Sequence, residues 1–195
     1  MIAHRTFKDY ETYVHQQGAK ARYKRDFLLA HLEKGTQNFQ RIFTRARSHL
    51  TPGAVLCLGA RTGAESLGAE AAGFVGSVGI DLHPIGPTVQ QGDWHDIQFP
   101  DASFENVYCN SLDHCLYLDK MAGHVARVLK PGGRFYLMAS NKPDTEANWR
   151  AKGGNEALYW ETSDDLAKAI CGYGFTLLKS WRDGKWGHYV LKVAA

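Results

Sequence analysis

Gly59, Ala60, Arg61, Thr62 and Gly63 form a glycine-flanked turn directly after the apolar run from Ala54 to Leu58, and Glu65 follows at the start of a helical pattern. Glycine lacks a Cβ and tolerates positive φ, so such a turn lets main-chain N–H groups approach a ligand closely. Asp81 lies 22 residues beyond Gly59, at the end of a second apolar run, where a carboxylate can accept hydrogen bonds from both hydroxyls of a ribose. The spacing points to a nucleoside-bearing cofactor without saying which one. A third run ends in Cys109-Asn110-Ser111-Leu112-Asp113-His114. His114, oriented by Asp113 or another acid, is the candidate general base, because an unperturbed imidazole titrates near neutrality. The alternative is a histidine that packs or caps the next helix. The four cysteines, Cys57, Cys109, Cys115 and Cys171, show no C-x-x-C spacing, so neither disulfides nor a metal site is expected.

These residues need a scaffold. The chain of 195 residues is read as a single domain, with an N-terminal helical cap over 1–51 and a core over 52–195. Its composition, 44% hydrophobic and 22% charged, argues against disorder and a membrane class. No apolar run approaches a membrane span and the first residues lack a signal peptide's apolar core, so a cytoplasmic location is expected. The net charge of +3 divides unevenly: residues 1–50 carry ten Lys/Arg against four Asp/Glu, and the remaining 145 carry 13 against 16. Those N-terminal charges fall between apolar residues at helical spacing, which reads as a solvated helix face, with phosphate or nucleic-acid contact as the alternative.

Periodicity predicts helices near 21–34, with Tyr23, Phe27, Ala30 and Leu32, and near 39–50, with Phe39, Ile42, Phe43, Ala46 and Leu50; Gly35 is expected to separate them. From Thr51 onward the pattern alternates. Strands are predicted at 54–59, 77–81, 88–92, 104–109, 134–139, 175–181 and 187–193, and helices near 63–73, 118–129 and 163–172. The last helix opens on the capping-box-like Thr162-Ser-Asp-Asp165. Asp183-Gly184 signals a hairpin between the last two strands. The expectation is a doubly wound α/β fold with helices on both faces of a mostly parallel sheet, its ligands held beyond the carboxyl ends of the strands.

Four stretches, in this order and spacing, resemble the class I S-adenosylmethionine-dependent methyltransferases of the small-molecule, methyltransferase-11-like type. They are Val55 to Gly63 (VLCLGARTG), Val78 to Leu82 (VGIDL), Gly92 to Val107 (GDWHDIQFPDASFENV) and Lys130 to Phe135 (KPGGRF). The resemblance implies a seven-stranded sheet of order 3-2-1-4-5-7-6 whose last strand is antiparallel, and S-adenosyl-L-methionine as cofactor. It also implies that Asp81 meets the ribose, Leu82 lines the pocket, Asp93 accepts from the adenine amino group, Trp94 contacts the adenine, and Asn110 ends the strand beside the cofactor. The chain departs from the family's D-x-G-x-G-x-G at two positions, Cys57 for the acid and Arg61 for the middle glycine. Arg61 could fork onto the cofactor's carboxylate while Glu65 takes its ammonium. Alternatively Arg61 and Glu65, at i and i+4, pair with each other on the surface.

Methyl transfer asks mainly for alignment of the acceptor with the S–CH3 bond. No Asn/Asp-Pro-Pro-Tyr/Phe and no Pro-Cys follows the fourth strand, which leaves a small-molecule acceptor in first place; acceptor identity and oligomeric state stay open. Segment 141–162, with Trp149, Arg150, Tyr159 and Trp160, reads as a lid over the acceptor or as a loop anchored on the core. Two rival readings stand beside the enzyme. One is a nicotinamide-dependent oxidoreductase, against which Arg61 interrupts G-x-G-x-x-G. The other is a binding module whose basic N-terminal helices hold RNA or a protein, with Tyr23, Phe27, Phe39 and Phe43 expected to be buried in the apolar stripe.

Overall fold

The computed structural model describes residues 1–141, 145–152, 154 and 156–194. Seven strands form the central sheet: β2 (Val55–Leu58), β3 (Val78–Asp81), β4 (Val89–Gln91), β5 (Phe104–Cys109), β6 (Leu129–Ser140), β8 (Phe175–Asp183) and β9 (Trp186–Val193). Their order is β4-β3-β2-β5-β6-β9-β8. The strands from β4 to β6 are parallel, while β9 runs antiparallel to both β6 and β8. This is the 3-2-1-4-5-7-6 arrangement with the final strand reversed. The hairpin turns at Gly184, whose φ of 57° suits a residue without a Cβ.

Both faces of the sheet are covered, so its strands read as continuous apolar runs split by the two-residue period. Leu56, Leu58, Val107, Phe135 and Leu137 point to one side and pack with Met121 and Val125 of α4 (Leu118–Val128) and Leu166 and Ile170 of α6 (Ser163–Cys171). Val55, Cys57, Tyr108 and Tyr136 point to the other, against Phe43 and Ala46 of α2 (Leu32–Ala46) and Ala69 of α3 (Ala64–Ala71). α6 starts with the expected capping box: Thr162 Oγ1 accepts from Asp165 N and the Asp165 carboxylate accepts from Thr162 N. Cys57, Cys109 and Cys115 are buried free thiols, and burial pushes Cys109 up to about 12.

The N-terminal segment differs most from expectation. Its first helix, α1, runs from Tyr10 to Ala30, capped by Asp9, whose carboxylate accepts from Thr12 N at 2.6 Å. The break falls at His31 rather than Gly35, which lies inside α2, where its missing Cβ leaves room for Ala64 of α3. Tyr23 and Phe27 are 90% and 64% exposed, so they do not join Phe43 in a buried stripe. The buried residues of α1 are instead Tyr13, Gln17, Gly18 and Ala21. The segment is also not wholly helical: β1 (Ile2–His4) pairs antiparallel with β7 (Leu158–Trp160).

The lid expected over 141–162 falls partly on residues 142–144, 153 and 155, outside those described. Around them Trp149, Tyr159 and Trp160 are buried, Trp160 Nε1 donates to Ser140 O at 2.7 Å, and Arg150 donates to His4 O. These aromatics anchor the segment to the body of the protein.

Candidate functional site

A crevice of about 420 Å³ opens at the carboxyl ends of β2, β3 and β5. Gly59, Ala60, Arg61, Thr62, Glu65, Asp81, Leu82, Trp94, Asn110, Asp113 and His114 all line it. The turn after β2 earns its place through glycine: a Cβ on Gly59, at φ 69°, would sit 2.5 Å from Ser111 Oγ and 2.9 Å from Trp94 Cζ3. Ser111 and Trp94 therefore pack against the main chain there only because residue 59 has no side chain.

Arg61 holds φ of 28°, in the left-handed region that a side chain disfavours. Three hydrogen bonds hold it there. Its N–H donates to Asp81 Oδ2 at 3.1 Å, and its carbonyl accepts from Ile85 N at 2.8 Å and Gly86 N at 3.3 Å. The guanidinium Nε, buried and without a hydrogen-bond partner among the described residues, lies 3.7 Å from Asp81 Oδ2. The ion-pair partner of Arg61 is thus Asp81, and the surface pair with Glu65 does not form. Asp81 itself is 6% exposed, and its Oδ1 accepts from His83 N at 2.8 Å. Each oxygen keeps a lone pair for a ligand hydroxyl.

Glu65 faces the crevice from the first turn of α3. Burial pushes its carboxyl up to about 7, against the opposing hydrogen bond from the Asn110 side chain and the pull of Arg61. Lys20 of α1, half-buried across the crevice, is held below the usual lysine range by burial first and then by Arg61 and Lys24.

Two expected ligand residues lie elsewhere. Gly63, at φ 87°, sits behind the turn and donates to Ala60 O, so it shapes the loop rather than lining the crevice. Asp93 is turned away from it: Oδ2 accepts from Tyr10 Oη at 2.5 Å, and Oδ1 accepts from His95 N and Nδ1 at 2.8 and 2.9 Å. Burial alone would raise Asp93, but the hydrogen bonds from His95 and Tyr10 hold it below the ordinary carboxylate value. Buried His95 completes this node. Its Nε2 accepts from Trp94 Nε1 at 3.1 Å and Tyr117 N at 3.3 Å, which fixes the neutral tautomer with the proton on Nδ1. Asp93 therefore clamps the start of α1 instead of reading an adenine.

The N-terminal helix supplies a wall that sequence patterning missed. Tyr13, Gln17, Lys20, Lys24 and Leu28, spaced by 4, 3, 4 and 4, present one face of α1 to the crevice. Apolar periodicity overlooks such a face because it carries polar groups toward a ligand. Tyr13 Oη donates to His114 O at 2.7 Å, and Gln17 Nε2 lies 3.4 Å from His114 Nδ1.

The strand order, with its reversed last strand, is that of the class I S-adenosylmethionine-dependent methyltransferase fold. Residues 56–137 match the family model described as a methyltransferase domain. The chain resembles in fold the Burkholderia thailandensis 1,6-didemethyltoxoflavin-N1-methyltransferase, solved with 1,6-didemethyltoxoflavin and S-adenosylhomocysteine, at 16% identity and TM-score 0.67 over 100% of this chain and 95% of that one. A putative methyltransferase in complex with the Haloferax volcanii Trm112 activator aligns at 15% identity and TM-score 0.64, over 90% and 98%. A putative methyltransferase from Bacillus halodurans aligns at 22% and 0.58, over 71% and 69%. No curated protein matches the sequence.

The family's cofactor is S-adenosyl-L-methionine, and the residues present suit it. Trp94 and Leu82 line the crevice as an aromatic and an apolar wall, Asp81 offers ribose acceptors, and Glu65 and Lys20 offer opposite charges for an amino-acid end. No helix among the described residues is long and apolar enough to cross a membrane, and no cluster of metal-ligating side chains occurs among them.

Proposed function

We propose that this chain transfers a methyl group from S-adenosyl-L-methionine to a small-molecule acceptor, by in-line displacement in which positioning dominates. The observation that carries the reading is the single crevice that gathers the glycine turn, Asp81, Glu65 and Asn110 with Asp113 and His114. When bound, the cofactor would supply an activated methyl on a sulfonium, which the acceptor's lone pair would take with the neutral thioether as leaving group.

The protein's part is to bind, orient and exclude water. Asp81 would accept from the ribose hydroxyls, Trp94 and Leu82 would flank the adenine, and the main chain from Gly59 to Thr62 would meet the amino-acid end. Arg61 and Lys20 face its carboxylate and Glu65 its ammonium. α1 closes over the crevice through Gln17, Lys20 and Lys24, so the acceptor meets the methyl in a confined space where alignment is worth most. His114, placed beyond β5 and held by α1 through its main chain, takes the proton from an acceptor that arrives protonated, with Asp113 beside it.

The acceptor class is tested by incubating the protein with methyl-labelled cofactor and, separately, the small-molecule, RNA and protein fractions of a cell extract. Label in the small-molecule fraction is expected. Label that appears only in RNA or protein contradicts the reading.

A further inference from the structure

The other side of α1 holds a second cavity, of about 300 Å³. We propose that it binds a phosphate group. Gly18, Ala21, Arg22 and Arg25, spaced by 3, 1 and 3, turn this face of α1 toward His83, Gln91 and the apolar side chain of Leu82. The residues facing the crevice are a different set, Gln17, Lys20 and Lys24 among them, so α1 is a partition with a cavity on each side and Leu82 in the wall of both.

The lining has one sign of charge. Arg22 and Arg25 carry guanidinium groups, and no carboxylate lines the cavity. Among the described residues neither arginine forms an ion pair, although Asp26 follows Arg25 directly on the helix. Side chains at i and i+3 leave a helix about 5–6 Å apart, a separation from which two planar forks can grip one tetrahedral anion from two sides.

The histidine edge is built in. A Cβ at position 18 would sit 2.9 Å from His83 Cε1 and 3.1 Å from its Nε2, so Gly18 is what lets the imidazole lie against the helix. The ring is then pinned there by its Nε2–H, which donates to Val14 O at 2.8 Å. Two forks and the amide of Gln91 offer more donors than one carboxylate can accept, and a phosphate can use them. Such a group can come from a free phosphorylated molecule or from a phosphodiester of RNA.

The test titrates inorganic pyrophosphate into the full chain at low ionic strength, for wild type and for the double variant Arg22→Gln/Arg25→Gln. Both arginines are exposed, so the variant keeps the fold. Wild type should bind, and the variant should bind at least about tenfold more weakly. S-adenosylhomocysteine, titrated into both, should bind them equally and reports on the crevice separately: its failure to bind either protein would remove the methyl-transfer reading and leave the phosphate site standing. A uridine oligonucleotide forms the second arm. Oligonucleotide affinity that falls steeply with salt and is lost in the variant identifies an RNA backbone as the source, whereas pyrophosphate binding without oligonucleotide binding identifies a free phosphorylated ligand. Equal affinity of pyrophosphate for both proteins, or none for wild type, overturns the proposal.

Discussion

At the scale of single residues, the crevice places a carboxyl that holds its proton to about pH 7 where the cofactor's ammonium would sit. An ammonium prefers the carboxylate, so binding must drive that proton off. Affinity for S-adenosylhomocysteine should therefore rise about tenfold from pH 6 to pH 8, and Glu65→Gln should flatten the profile. Calorimetric titration across that range checks it. The same group predicts a stability trend of opposite sign. The unfolded chain releases this proton near the ordinary 4.5 and the folded chain only near 7, so the free protein loses Glu65's contribution as pH climbs through that window. Arg61 gives a second prediction. Its positive φ and its approach to Asp81 act in opposite directions when it is replaced by the family's usual glycine. Arg61→Gly should keep the unfolding free energy within about 1 kcal/mol of wild type, while Arg61→Glu, set against Asp81 and Glu65, should weaken cofactor binding at least about tenfold. Unchanged affinity in Arg61→Glu would falsify a ligand role for this side chain. Asp81 was legible from its place at a strand end. The turn of Asp93 away from the crevice was not, because its partner Tyr10 lies 83 residues earlier in the chain.

At the scale of elements, two helical glycines with opposite surroundings show which effect wins. A Cβ on Gly68 of α3 would run into Phe39 Cβ and sit 2.8 Å from the main-chain nitrogen of Gln40 in α2, whereas one on Gly123 of α4 meets nothing within 4 Å. Helix propensity favours alanine at both by about 1 kcal/mol, but overpacking against backbone costs about 1–3 kcal/mol. Gly123→Ala should therefore raise the melting temperature and Gly68→Ala lower it, as thermal unfolding followed by circular dichroism will show. The seven strands of the main sheet were readable because each holds a short apolar run between turn residues, while their order came with the resemblance of the four motif stretches to a known family and not from the residues alone. β1 and β7 were not readable: three residues each, they are defined only by pairing with one another across the fold. α1 was misread because the helix was sought through its apolar side chains. Tyr23 and Phe27 mark the exposed side, and the buried side is built from Gln17, Gly18 and Ala21 around Tyr13.

At the scale of the whole molecule, α1 roofs the crevice and is tied to the body near its N-terminal end. Tyr10 reaches Asp93, Tyr13 reaches His114 O, and His83 reaches Val14 O. These ties lie in the first half of the helix, and residues 22–27 are exposed, which places its second half among the segments that open at low free energy. Removing one tie with Tyr10→Phe should cost about 1 kcal/mol and speed amide exchange across residues 11–20 more than in the sheet; equal protection in both proteins would show that the hydroxyl does not hold the helix. The sheet below is the rigid part, and the account rests on what lies at its carboxyl edge. The most direct measurement is thermal melting of wild type and Asp81→Asn with S-adenosylhomocysteine and, separately, with NAD. At about one hundred times its dissociation constant a ligand adds about 2.7 kcal/mol, a rise of roughly 5–10 °C for a domain of this size. A rise in wild type with S-adenosylhomocysteine alone, much reduced in Asp81→Asn, is predicted. No rise with S-adenosylhomocysteine, a rise with NAD in its place, or an equal rise in the variant would contradict the account.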